Sequence, residues 1–183
     1  MIKLSLLKLE TEPWLSDLDY NMIISDLIAN EAVLKLDTII HHHVSTRLQH
    51  SLRVSYVAYV NAKFMGLDYK ACARAGLLHD LFYFRPKDVN FERGSKYIHP
   101  RIALYNARKL TDINDTEADI IVHHMWLTGT STAFDRPHTK EGRLVSMIDK
   151  QVAQFEFKML IKSKWNCRDK WKDLPNFELF QFH

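Results

Sequence analysis

The residues in this chain with the most chemistry to offer are histidines and aspartates. His79 and Asp80 stand side by side after the apolar run Ala75-Gly76-Leu77-Leu78, and His50 lies 29 residues upstream. Further along come His99, the adjacent pair His123 and His124, and Asp149 after Met147-Ile148. Imidazole and carboxylate together suit zinc, iron and manganese, with cobalt and nickel also accommodated. Brought to one place, these side chains would hold a divalent transition metal, one ion or two. Each has a plainer reading when taken alone. His50 fits a hydrogen-bonded core histidine and Asp149 a surface aspartate on an amphipathic helix. His79-Asp80 fits a helix end followed by a turn.

The elements that would carry them are helical. Few glycines and prolines, five of each, argue for helices with short connections. Apolar residues at helical spacing predict a first helix from Tyr20 to about His41. Thr46 is placed to cap a second helix, which carries His50 and ends at Gly66. Asp68 caps a third, from Tyr69 to about Leu81, with His79 and Asp80 near its end. Pro100 suits the first turn of a fourth helix opened by His99. A fifth spans about Thr116 to Trp126, with Glu117 and Asp119 at its electropositive start, and bears His123 and His124. A sixth runs from Glu141 to about Ile161 and bears Asp149. Helical bundles build metal sites from facing helices, and every helix from the second to the sixth offers a ligand-type side chain. The expectation is one all-α domain over 1–183, a bundle of about six main helices. Its aromatic tail, about 163–183, would pack back on the body or on a second copy.

The segments HSLRVSYVAYVNAKFMGLD, AGLLHDL, IHPRIAL, IIVHHMW and SMIDK together resemble the HD-domain superfamily of metal-dependent phosphohydrolases, over about residues 46–155. The resemblance implies a helical fold with metal on His50, His79, Asp80 and Asp149. It also implies two further ligands in dinuclear members, matching His99 and His124, with Asp80 bridging; His123 competes with His124 for that place. In detail the chain is similar to bacterial HDIG-type proteins and to HD-type hydrolases of diadenosine polyphosphates. It departs from the HDIG pattern after the His-Asp pair, where Leu81-Phe82-Tyr83 replaces Ile-Gly-Lys. The Gly-Tyr-Pro signature of the cyclic-di-GMP branch is missing, which argues against that branch.

The implied chemistry is attack of metal-activated water on phosphorus in a nucleotide or related small molecule, with His79 and Asp80 at the reacting centre. Arg53, Arg85, Lys87, Arg101 and Lys150 are candidates to hold the phosphate. Rival readings are a metal-binding regulatory module without turnover and an RNA-associated helper. A net charge of +3 suits an anionic substrate but is small for a nucleic-acid surface. No run approaches 18 apolar residues and no signal-peptide pattern opens the chain, so a cytoplasmic protein is expected. Cys72 and Cys167 suggest no disulfide framework. The run His41-His42-His43 reads as a solvated helix end, and His138 as a loop residue.

Overall fold

The computed structural model describes residues 12–41, 45–85, 88–126 and 136–166. Lys87, His42, His43, Cys167 and most of the aromatic tail lie outside these residues. Seven α-helices occur among them: α1 (Leu18–Ile28), α2 (Glu31–Leu34), α3 (Arg47–Met65), α4 (Tyr69–Leu78), α5 (Ser95–Leu110), α6 (Asp115–His123) and α7 (Lys140–Asn166). Six of these are long, and the fold is all-α as expected. Two-residue strands β1 (Ile40–His41) and β2 (Ser45–Thr46) form a small antiparallel hairpin ahead of α3. None of the helices is long and apolar enough to cross a membrane.

Local signals set the ends of the two central helices. Thr46 Oγ1 accepts from the Gln49 amide and Gln49 Oε1 accepts from the Thr46 amide, a capping box that starts α3. Gly66, at φ 68°, stops it in the left-handed conformation that glycine tolerates. Asp68 then caps α4 through the Ala71 amide.

The predicted first helix does not reach His41. It breaks at Asn30, whose side chain accepts from the Ala32 amide and starts α2. A capping side chain here competes with continued helix, and periodicity alone does not register that. The fourth helix is also corrected. It begins at Ser95, after Gly94, so Pro100 sits inside it. Proline cannot donate to the Lys96 carbonyl. On either side of that gap, His99 Nδ1 donates to the Ser95 carbonyl and Arg101 to the Tyr97 carbonyl.

Helix α3 is the hub, with thirteen of its nineteen residues buried. Val54, Val57, Ala58 and Ala62 meet Ala71, Ala75, Leu77 and Leu78 of α4 in one hydrophobic cluster, which also takes in Ile120 and Ile121 of α6. Helix α7 adds Leu144, Val145, Ile148, Val152 and Phe155, a stripe at helical spacing. The α3–α4 approach is close because α4 has Gly76 at the crossing: a Cβ there would lie 2.9 Å from the Ser55 Cα. Ser55 is itself fixed, accepting from the Tyr20 hydroxyl at 2.8 Å and donating to the Ala73 carbonyl at 2.6 Å. Gly76→Ala is therefore expected to cost about 1–3 kcal/mol by overpacking, read as a lower urea midpoint. An unchanged midpoint would show that the two helices part freely.

Candidate metal centre

Five helices deliver six side chains to one buried place. His50 comes from α3, His79 and Asp80 from the end of α4, His99 from α5, His124 from the end of α6 and Asp149 from α7. His50, His79, Asp80, His99 and His124 are all buried, and the Asp149 side chain is 14% exposed. The His50 Nε2 and Asp149 Oδ1 atoms are 3.1 Å apart, and His79 Nε2 is 3.7 Å from the same oxygen. Asp80 stands between two sets of nitrogens. Its Oδ2 is 3.9 Å from His79 Nε2, and its Oδ1 is 3.5 Å from both His99 Nε2 and His124 Nε2.

The imidazoles are oriented by the helices that carry them. Nδ1 of His79, His99 and His124 donates to the carbonyls of Gly76, Ser95 and Ile121, each three or four residues back. That fixes the tautomer with the proton on Nδ1 and turns a lone pair on Nε2 towards Asp80. His99 Nε2 and His124 Nε2 then face each other at 3.0 Å with no proton left to share. His79 Nε2 and Asp80 Oδ1 are buried without a hydrogen-bond partner. Paired lone pairs and orphaned acceptors are costly in an apolar interior. A cation placed among them removes that cost, and the donor set of imidazole and carboxylate fits a divalent transition metal.

The electrostatics agree. Burial drives the Asp80 carboxyl upwards, but His79, His99, His124 and His41 outweigh it and hold it well below the usual carboxylate range. Asp149, mostly buried, is also held low, chiefly by its hydrogen bond to His50. Burial, helped by His79 and His99, pushes His124 down to about 3, so it is a neutral ligand.

Around this set lies a ring of supports. His50 Nδ1 is 3.0 Å from Glu156 Oε2, and Glu156 Oε1 accepts from Arg53 at 2.7 Å. This is a carboxylate–histidine arrangement behind a ligand, which orients the ring and raises its basicity. Ser146 Oγ and Lys150 Nζ donate to the His124 carbonyl at 2.7 and 3.1 Å, pinning α6 to α7. Buried Arg47 donates to the carbonyls of Phe82 and Phe84 and stacks 3.7 Å over the Phe82 ring, holding the chain just after Asp80.

Several expectations are corrected. Arg53 is buried against Glu156, and Lys150 spends its donors on His124 and Ser146, so both are structural rather than free for phosphate. Arg101 is half-buried, bonded to the Tyr97 carbonyl and stacked 3.5 Å over the Tyr97 ring. Arg85 is exposed. Of the adjacent histidines, His124 faces Asp80 and His123 turns away to Asp119, at 2.8 Å. His41 is not a solvated helix end: its ring lies 4.4 Å from that of His50. Sequence reasoning missed Glu156 and Arg47 altogether, because neither carries a motif.

Asp119 is more than a charge at the start of a helix: it anchors α7. It accepts from the His138 amide at 3.0 Å and from the amide and hydroxyl of Thr139 at 2.9 and 2.5 Å. Gly142 allows this, since a Cβ there would lie 2.7 Å from Asp119 Oδ2.

With the geometry in view, the comparisons with known proteins are brief. The HD domain family model matches residues 47–153. No curated protein and no solved structure matches the chain significantly. The match covers more than half of the chain, so the chain belongs to the HD-domain family, a family of metal-dependent phosphohydrolases.

Two stability predictions follow from the supports. Glu156→Ala leaves Arg53 as an uncompensated buried charge and is expected to cost about 3–5 kcal/mol in urea unfolding. Replacing both with apolar residues should recover most of that loss, and a single variant as stable as wild type would refute the pairing. Asp119 opposes burial with its hydrogen bonds from His123, Thr139 and His138, so its folded pKa is depressed. Its contribution is complete above the unfolded value of about 3.9 and fades as pH falls below it. Asp119→Asn should therefore lower stability by about 1–3 kcal/mol at pH 7. The gap to wild type should narrow at pH 3, and a constant gap would contradict this assignment.

Proposed function

We propose that this HD-domain protein is a metal-dependent phosphohydrolase that cleaves a phosphoester or phosphoanhydride of a nucleotide or related small molecule. One observation carries the reading: orphaned or unshared acceptor atoms of His79, His99, His124 and Asp80 converge in a buried site. Structural histidines are normally satisfied, and these are held away from satisfaction by their own helices. On this reading His50, His79, Asp80 and Asp149 hold one ion. Asp80, His99 and His124 would hold a second. Iron, manganese, zinc, cobalt and nickel all suit the donor set. When bound, such ions acidify water and neutralise charge on phosphoryl oxygens.

The chain's own residues do the rest. Asp80 would orient the attacking water by accepting its hydrogen bond, with His79 beside it at the end of α4 as a second ligand-type group. Packing of α3, α4, α6 and α7 keeps bulk water from the buried side of the site. Arg85 and Arg101 remain as candidates for the phosphate, with Arg preferred for bidentate contacts, and Lys87 is a third from the sequence.

A second reading has a specific observation behind it. All six ligand-type side chains are at most 14% exposed, so the site is narrow, as in a module that keeps metal for structure or sensing. Turnover separates the two. The test loads metal-stripped protein with manganese, iron, cobalt, nickel or zinc. It then assays mono-, di- and triphosphate nucleosides together with dinucleoside polyphosphates. Turnover is expected with at least one metal, and Asp80→Ala should reduce both metal retention and turnover by about a hundredfold or more. Wild type that binds no metal would overturn the metal centre itself. An Asp80→Ala protein that keeps metal and activity would overturn the role given to Asp80. Metal uptake without turnover on the whole panel would favour the second reading.

A further inference from the structure

The run His41-His42-His43 has no place in the six-residue set, yet the fold brings its first member to the site. His41 ends β1 and pairs with Ser45 of β2. Within the hairpin Ser45 Oγ donates to the His41 carbonyl at 3.3 Å, and the first residue of α3 ties to its start, the Arg47 amide donating to the Ile39 carbonyl at 2.8 Å. Thr46 Oγ1 also donates to Asp37 at 2.6 Å. One turn further into α3 stands His50. The two rings are 4.4 Å apart, tilted by 41°. A ring nitrogen of His41, one of His50 and a carboxylate oxygen of Asp80 all lie within 4.8 Å of one another. His41 is half-buried, whereas His50 and Asp80 are buried.

We propose that His41 is a further metal ligand, supplied by the β1–β2 hairpin on the His50 side of Asp80. The proposal rests on the metal centre described above and adds a donor from outside the helical bundle. The physical case is one of position and type. Ligands of one ion with bonds of about 2.0–2.2 Å sit roughly 3 Å apart, so three donor atoms inside 4.8 Å need only small side-chain adjustments to share one. A solvated imidazole, by contrast, has no reason to lie against a buried ring on a hairpin tied down through Arg47 and Asp37. The other six candidates are carried by helices or helix ends packed in the core. His41 is carried by a two-residue strand and, like Asp149, is only partly buried, so it stands on the more open side of the site.

The test uses the full chain and cobalt(II) as the probe. Cobalt affinity is measured by competition with a chelator, and the visible ligand-field spectrum reports coordination. In His41→Gly and in His41→Gln, which keeps side-chain bulk, one cobalt is expected to bind about 10–100-fold more weakly, with a changed spectrum. Added free imidazole should restore the wild-type spectrum in His41→Gly, a rescue that a packing role would not produce. Circular dichroism of each variant checks that the fold is kept. Wild-type cobalt binding with unchanged affinity and spectrum in both folded variants would overturn the proposal and leave the metal centre standing. So would a loss seen only in His42→Ala. Wild type that binds no cobalt would overturn both together.

Discussion

The arrangement depends on one constraint: two carboxylates, Asp80 and Asp149, are taken out of water and must be met by positive charge. A buried carboxylate without compensation costs several kcal/mol. Here the surroundings are imidazoles whose Nδ1 protons are already committed to backbone carbonyls. Their lone pairs therefore point inwards alongside the carboxylate oxygens. Within the set, burial lowers His50, but the Asp149 and Glu156 carboxylates on either side of it outweigh burial and push it up to about 10, so it supplies one positive charge. A divalent ion would supply the rest. The helical bundle can be understood as the means of holding these groups together against their mutual repulsion.

That holding is done at the helix ends. His79 and His124 each sit at the C-terminal boundary of a helix, where carbonyls would otherwise lack donors. Their Nδ1 atoms take up one such carbonyl each and aim the other nitrogen into the site. Ser146 and Lys150 of α7 then cap the end of α6, and Asp119 of α6 caps the beginning of α7. The two helices are thus tied at both ends of their contact, which fixes the separation between His124 and Asp149. The Arg53–Glu156–His50 chain does the same between α3 and α7. Stability and site geometry are carried by the same hydrogen bonds, so loosening one should disturb the other.

How much of this was legible in the sequence follows from the range of the forces involved. Caps at Thr46, Gly66 and Asp68 act within a turn of helix and were readable. The ligand candidates were readable because their residue types and surrounding apolar runs are distinctive. The break at Asn30 was not, because a capping side chain overrode a continuous apolar period. Pro100 misled because proline is usual in a first turn, and here side chains of His99 and Arg101 serve the neighbouring carbonyls instead. Glu156 lies 106 residues from its partner His50, and no local pattern links them. Arg53 and Lys150 look in sequence like free cations; only the packed structure shows what they are bonded to.

The central claim is that Asp80 stands between two metal positions built from the remaining ligands. Anomalous diffraction from crystals grown with manganese or cobalt tests it most directly. The account predicts two peaks flanking the Asp80 carboxylate, one beside His50, His79 and Asp149 and one beside His99 and His124. No peak at Asp80, with metal found only at the separate group of Asp119, His123 and His138, would contradict it.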